Sequence, residues 1–240
     1  MGKDNQPKER QARELARKKA QRGSYDRILI VCEGSKTEPQ YFEEIRSYYR
    51  IHTANVQVQH SQFGTQPLQV VEYAEELFVA GDIRRSIQPR SFEQVYAVFD
   101  RDNHVTYHAA LIKADAMKNS LRNNLGQKVL FMAVPSVPCF ELWLLLHFED
   151  VLAPIHRTDV YARLRQHLPG YDKGQTGHFQ RTRDRIPDAV ARANHLISCS
   201  TADDGLEPYT ELHNLVQLLT SLKLDYGAQR TRKTKPAELL

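Results

Sequence analysis

The sequence predicts an α/β protein built on a mainly parallel sheet, and three observations predict it. Apolar, β-branched runs alternate with helical patterns over residues 25–135, the βαβαβαβ rhythm of a right-handed, three-layer domain. Two of those runs, Ile28-Leu29-Ile30-Val31-Cys32 and Val95-Tyr96-Ala97-Val98-Phe99, are apolar at consecutive positions, as in strands covered on both faces. Both stop abruptly at acids, Glu33-Gly34 in one and Asp100-Arg101-Asp102 in the other. If the two strands share a sheet and a direction, Glu33, Asp100 and Asp102 converge at its carboxyl end, where open α/β sheets place their ligands.

The first strand, residues 27–32, leads through Glu33-Gly34-Ser35-Lys36 into a helix. Thr37 is expected to cap that helix, with Gln40 completing a capping box and Pro39 tolerated in the first turn. Tyr41, Phe42, Ile45, Tyr48 and Tyr49 recur at helical spacing as one buried stripe. Val56 to His60 alternates valine with glutamine, the pattern of a half-exposed strand near the sheet edge. Pro67 starts a second helix that runs through Phe78, with Val70, Val71, Ala74, Leu77 and Phe78 facing inward. The acidic strand 94–99 follows, then a long helix over 105–123 carrying Leu111, Ala114, Met117 and Leu121 on one side. Gly126 closes that region, and 128–134 makes a fourth strand.

Pro135-Ser136-Val137-Pro138 reads as a turn, and Cys139 to Phe148 as an apolar helix holding the only tryptophan, Trp143. Beyond it the pattern is helical over 160–167, 183–197 and 208–222, the last with Leu212, Leu215, Val216 and Leu219 at i, i+3, i+4 and i+7. The polar stretch Pro169 to Arg181, with Gly170, Gly174 and Gly177, reads as a loop over the site. The chain thus divides into a basic tail (1–24), an α/β domain (25–150), a helical C-terminal extension (151–225) and a second basic tail (226–240).

At 240 residues, 41% hydrophobic and 26% charged, the composition is that of an ordinary globular protein. No apolar run reaches the ~18 residues of a membrane span, and no apolar signal core follows the basic N-terminus, so no membrane association and a cytoplasmic location are expected. Three dispersed cysteines without a CxxC pair, and ten histidines without an HExxH, argue against a zinc cluster or a disulfide framework. Residues 1–22 carry net charge +5 and residues 226–240 net +3, leaving the body between them mildly acidic although the whole chain is +4. The tails are either solvated ends or electrostatic contacts to a polyanion such as nucleic acid. Segment 9–20 favours helix but has almost no apolar face, so any helix there is exposed.

The chemistry rests first on the three carboxylates. They repel one another unless a cation shares the site, and a hard divalent ion such as Mg²⁺ suits oxygen ligands. A terminal Glu-Gly lets the backbone turn tightly with Glu33 in the cleft, although an isolated Glu-Gly is also an ordinary surface turn. On an extended strand end, Asp100 and Asp102 face the same side, so both can bind one ion. Arg101 then points to the other side, adding charge at a phosphate or pairing with another acid. His104, two residues on, is placed to act as a proton shuttle or outer ligand, or is simply a loop histidine. Lys36 follows Glu33-Gly34 closely enough to add positive charge at a phosphate. Glu141 lies in an otherwise apolar helix, where a lone carboxylate is costly unless paired or metal-bound.

Leu29-Ile30-Val31-Cys32-Glu33-Gly34 with Thr37-Glu38, followed by Val98-Phe99-Asp100-Arg101-Asp102, resembles the Toprim domain shared by topoisomerases, bacterial primases and OLD-type nucleases. The string Pro138-Cys139-Phe140-Glu141-Leu142-Trp143-Leu144-Leu145-Leu146-His147-Phe148, with Pro208-Tyr209-Thr210-Glu211 downstream, looks like the RloB family of bacterial proteins. Those proteins are linked to phage resistance and are similar to one component of the AbiL abortive-infection system. The resemblance spans residues 25–220 and implies a Toprim-like three-layer fold. It places the Toprim glutamate at Glu33 and the metal-binding aspartates at Asp100 and Asp102. By similarity to OLD-type nucleases, Glu38, Ser136 and Glu141 would form a second acidic cluster, with Lys173 as a cation near the scissile phosphate. Glu38 has the alternative of favouring a helix N-terminus with its charge.

The expectation is a Mg²⁺-dependent endonuclease of anti-phage defence, with Mn²⁺ able to substitute, acting on DNA or RNA. One ion at Glu33, Asp100 and Asp102 would neutralise charge on the phosphate, and a second, if the site holds two, would let the pair handle both the attacking and leaving oxygens. Members of the family are commonly encoded beside an ATPase, which implies an ATPase partner; an oligomer is compatible with the sequence. The rivals are a non-catalytic module that binds a nucleotide or partner, and a nucleic-acid adaptor working through the tails.

Overall fold

Alternation along the strands sorts the side chains onto the two faces of one sheet. The computed structural model describes residues 26–118, 120–199, 201–202 and 208–233, with side chains as far as Leu222. The basic tail 1–24 and the helix considered for 9–20 lie outside the described residues; of 226–240, only backbone to Lys233 is described. The strands are β1 (Ile28–Cys32), β2 (Val56–His60), β3 (Gln94–Asp100), β4 (Leu130–Val137) and β5 (Tyr209–Thr210). The helices are α1 (Thr37–Tyr48), α2 (Pro67–Ala80), α3 (Tyr107–Met117), α4 (Glu141–Leu146), α5 (Arg157–His167), α6 (His178–Thr182), α7 (Ile186–Cys199) and α8 (Leu212–Lys233).

The spatial order is β2-β1-β3-β4-β5, with the first four strands parallel and β5 antiparallel beside β4. Ile28, Ile30, Cys32, Tyr96, Val98 and Val134 face one layer, formed by α1, α4, α5, α7 and α8. Leu29, Val31, Val95, Ala97, Phe99 and Phe131 face the other, formed by α2 and α3. This is an α/β three-layer arrangement with a mostly parallel sheet and helices on both faces, consistent with the Toprim-like fold expected. From β1 the chain goes outward to β2; from β3 it goes the other way, to β4. The carboxyl ends of β1 and β3 therefore flank a topological switch point, the natural crevice of such a sheet.

Residues beyond 150 share the core of the sheet's first face: Val160, Leu164, Ala189, Ala193, Leu212 and Val216 pack in one cluster with Ile30, Tyr41 and Trp143. Helix α4 is buried at all six of its residues, and Trp143 Nε1 donates to Tyr41 Oη at 2.9 Å. Each of its large apolar side chains contributes roughly 1.5–3 kcal/mol by burial. That apolar burial is what carries Glu141 into the interior.

Several local expectations change. Thr37 does not cap α1; its Oγ1 accepts the Gly174 N–H at 3.1 Å, tying the 172–177 loop to the helix start. Tyr48 leaves the buried stripe: it is half exposed at the helix end, against Tyr49, Phe179 and the Arg183 guanidinium. Helix α3 ends at Met117, where Ser120 Oγ binds the Met117 carbonyl and the chain turns into the Asn123 loop. Pro135 to Val137 is strand rather than turn. The Pro135 carbonyl accepts from Glu211 N on the β5 side, so its missing N–H also faces away from the ladder with β3. Residues Tyr209 and Thr210, expected at the start of a helix, pair with β4 instead.

Candidate metal centre

Glu33 ends β1, and its Oε2 accepts the backbone N–H of Asp100 at 2.8 Å. The Glu33 N–H in turn donates to Val98 O at 2.9 Å, so the two strand ends are laced together where they leave the sheet. Asp100 continues the face of Tyr96 and Val98, and its Oδ1 accepts the Phe140 N–H at 2.8 Å, at the threshold of α4.

The chain leaves the extended conformation immediately after Asp100. Asp102 has φ +39°, so it and Asp100 do not sit as i and i+2 of a straight strand. The turn is held by Arg101 N to Ser136 O at 2.9 Å and Asp102 N to Pro138 O at 3.1 Å. Its consequence is chemical. Glu33, Asp102 and His104 each bring a ligand atom within 4.8 Å of the others, a group able to hold a metal ion. Asp100 is not in that trio, because its carboxylate is turned onto the α4 backbone. His104 Nε2 lies 3.7 Å from Glu33 Oε1.

A second layer of acids surrounds the first. The Glu38 carboxylate, on the first turn of α1, lies over Gly34 and is almost wholly buried. Glu141 is fully buried, and its Oε1 accepts the Tyr171 hydroxyl at 2.8 Å. Ser136, named with these two, pairs its hydroxyl with Thr210 at 3.0 Å and so serves the β4–β5 junction. Three buried carboxylate oxygens, Glu38 Oε2, Asp102 Oδ1 and Glu141 Oε2, have no partner. An effective penalty of several kcal/mol attends each unpaired buried ion. Three such oxygens around one cleft fit a site that takes up cations.

The electrostatics agree. Burial pushes the Glu33 carboxyl up from 4.5 to about 7; the Asp100 N–H opposes this, the Glu38 and Asp102 charges add to it, and Lys173 opposes it again. Burial raises Asp100 well above the ordinary carboxylate range, aided by Glu38, Glu33, Glu141 and Asp102. Glu38 is raised by burial and by Glu141, against its own backbone N–H and Lys173. These are carboxylates crowded beyond what the protein's own cations neutralise.

The basic residues divide. Lys173 is an exposed residue; desolvation works against its charge, but Glu141, Tyr161, Asp100 and Glu38 outweigh it and hold the ammonium in the protonated form. Lys36 is exposed and its stem runs along Gly174, where the backbone has φ +87° and a Cβ would meet Lys36 Cδ at 2.7 Å. Arg101 is half-buried. Two residues that matter were not anticipated. Arg157, at the start of α5, forms an ion pair with Asp102 through Nη1, and Tyr171 supplies the donor to Glu141. Neither stands in a local motif; the one usable hint was that Tyr171 lies in the polar loop next to Lys173.

Among the described residues, no helix is long and apolar enough to cross a membrane. The family model for RloB-like proteins matches residues 28–219, spanning every strand and reaching into α8. No curated protein and no solved structure matches the chain.

Proposed function

The chain belongs to the RloB-like family, and from that membership together with its acidic centre we propose that it is a divalent-metal-dependent nucleic-acid phosphodiesterase, an endonuclease of the Toprim type. The observation that carries the reading is the convergence of five carboxylates on the switch point, three of them with an unpartnered buried oxygen. Glu33, Asp102 and His104 would hold one Mg²⁺ or Mn²⁺ ion, and Glu38 with Glu141 a second. A bound divalent ion neutralises the non-bridging phosphate oxygens and lowers the pKa of coordinated water.

The protein's own groups supply the rest. Asp100 anchors the turn that carries Asp102 to the start of α4, and Glu33 fixes the end of β3, so the cleft is pre-set before an ion arrives. Lys173, kept protonated by the acids, stabilises charge on the substrate phosphate, with Lys36 and Arg101 at the rim. We extend the proposal to a role in anti-phage defence in the cytoplasm beside an ATPase partner, on the family resemblance alone.

The test is cleavage of circular single-stranded DNA, duplex plasmid and structured RNA by the purified protein, with Mg²⁺, Mn²⁺ or EDTA, alone and with its neighbouring ATPase. Cleavage of any substrate that requires the ion and is lost in folded Asp102→Asn and Glu33→Gln supports the reading. Ion and nucleotide binding without turnover under all these conditions would convert it to a non-catalytic nucleotide-binding module.

A further inference from the structure

We propose that Arg157 is a substrate ligand, the group that grips the phosphate beside the metal centre. The proposal deepens the phosphodiesterase reading and rests on it. A polyanion approaching five carboxylates must meet fixed positive charge, and Arg157 is bonded directly to a member of the centre. Its Nη1 donates to Asp102 Oδ2, while Asp102 Oδ1 stays buried and unpartnered. The two oxygens of one carboxylate are thus divided, one taken by the guanidinium and the other left for an ion. A phosphate drawn to that ion would lie next to the guanidinium.

The fork is pre-set for this. Nη2 donates to the Tyr161 hydroxyl at 3.0 Å, and the guanidinium carbon lies 5.7 Å from that ring's centroid. Arg157 and Tyr161 are four residues apart on α5, hence neighbours on one helix face. Two of the five guanidinium N–H donors are occupied by these contacts, and a third of the Arg157 side chain remains exposed. It lines a cavity of about 40 Å³ with Asp102, Asn103, Pro138 and His156. One water needs ~10–15 Å³ measured this way, so the cavity has room for the oxygens of a phosphate. Arginine's planar donors match phosphate oxygens in pairs, which a lysine cannot do.

The simpler role, an ion pair that merely steadies the fold, is a weak explanation. A partly exposed pair contributes roughly 0–1 kcal/mol, little reason to place a guanidinium on a candidate metal ligand.

The experiment compares wild type, Arg157→Ala and Arg157→Lys, each checked for folding by thermal denaturation. Mn²⁺ affinity is measured by calorimetry, and affinity for a 5′-phosphorylated oligonucleotide by anisotropy in Ca²⁺. For Arg157→Ala, Mn²⁺ affinity is expected to stay within threefold of wild type or tighten, because a competing cation has gone. Oligonucleotide affinity should fall by about tenfold or more, the worth of one charge-assisted contact, with Arg157→Lys in between. Parallel weakening of both ligands, loss of Mn²⁺ alone, or no change in either would overturn the proposal; the first two would make Arg157 a clamp on Asp102. Failure of the wild type to bind Mn²⁺ would sink the metal reading instead, and the oligonucleotide comparison repeated in EDTA would still decide what the arginine does.

Discussion

A methyl group placed on Gly34 would sit 2.5 Å from Oε2 of Glu38. The glycine that turns the chain out of β1 is thus also the floor beneath a buried carboxylate from α1. The obstructing atom is the far end of a flexible side chain, so Gly34→Ala should move Glu38 rather than unfold the protein. Mn²⁺ affinity is expected to drop by about 10- to 100-fold, the usual effect of disturbing groups that support a metal, with melting temperature in EDTA nearly unchanged. Calorimetric titration of the variant checks this; undiminished affinity would remove Glu38 from the centre.

Glu33 makes stability in the absence of metal depend on pH. Its pKa is raised from 4.5 to about 7, chiefly by burial. Between those values the folded chain holds a proton that the unfolded chain has released. The resulting stabilisation is complete below pH 4.5 and disappears as pH rises through about 7. The displacement corresponds to roughly 3 kcal/mol at most. Denaturant unfolding in EDTA at pH 5 and pH 8 should therefore show a larger loss for wild type than for Glu33→Gln. Mn²⁺ at pH 8 should stabilise wild type more than Glu33→Gln. Parallel losses in the two proteins would exclude Glu33 as the source.

What could be read in advance follows from how each signal is written in the chain. Strands β1 and β3 were legible because burial on both faces leaves an unbroken apolar run, and Glu33, Asp100 and Asp102 because each run stops at an acid. The helical turn that brings Glu38 back over Gly34 was partly legible, its cap misassigned because Thr37 is used by the Gly174 backbone. The positive φ of Asp102 left no mark, since aspartate suits strand ends and turns alike. Pro135 misled for a related reason: proline signals a turn, yet it is tolerated where its nitrogen faces off the ladder. Arg157 left no signal and Tyr171 only its place in the polar loop, because each meets its acid through tertiary packing, across 55 and 30 residues.

Tyr171 donates to Glu141 Oε1 at 2.8 Å, and burial with the neighbouring Glu141 charge keeps its hydroxyl protonated. Tyr171→Phe removes the hydroxyl that Glu141 Oε1 accepts from, at a carboxylate that is fully buried. The cost in EDTA is expected to be about 1–3 kcal/mol, the penalty for orphaning a buried acceptor. An ion bound to Glu141 would satisfy it again, so saturating Mn²⁺ should shrink the deficit. Denaturant melts with and without Mn²⁺ test both points, and an equal deficit in the two conditions would take Glu141 out of the metal site.

Asp100 separates charge from architecture. Its Oδ1 holds the Phe140 N–H at 2.8 Å, in a position with almost no solvent contact. Asp100→Ala strands that N–H and should destabilise the metal-free protein by about 1–3 kcal/mol, so lost activity in this variant would be ambiguous. Asp100→Asn keeps an oxygen facing Phe140 while removing one of five mutually repelling charges. It should be at least as stable as wild type in EDTA, and increasingly so as pH rises, because Asp100 would otherwise have to ionise in the interior against Glu38, Glu33, Glu141 and Asp102. The melting temperature of Asp100→Asn in EDTA, followed from pH 6 to 9, decides it. A value below that of Asp100→Ala would mean that the charge itself holds the β4–α4 junction, and the crowded-carboxylate account of this centre would fail.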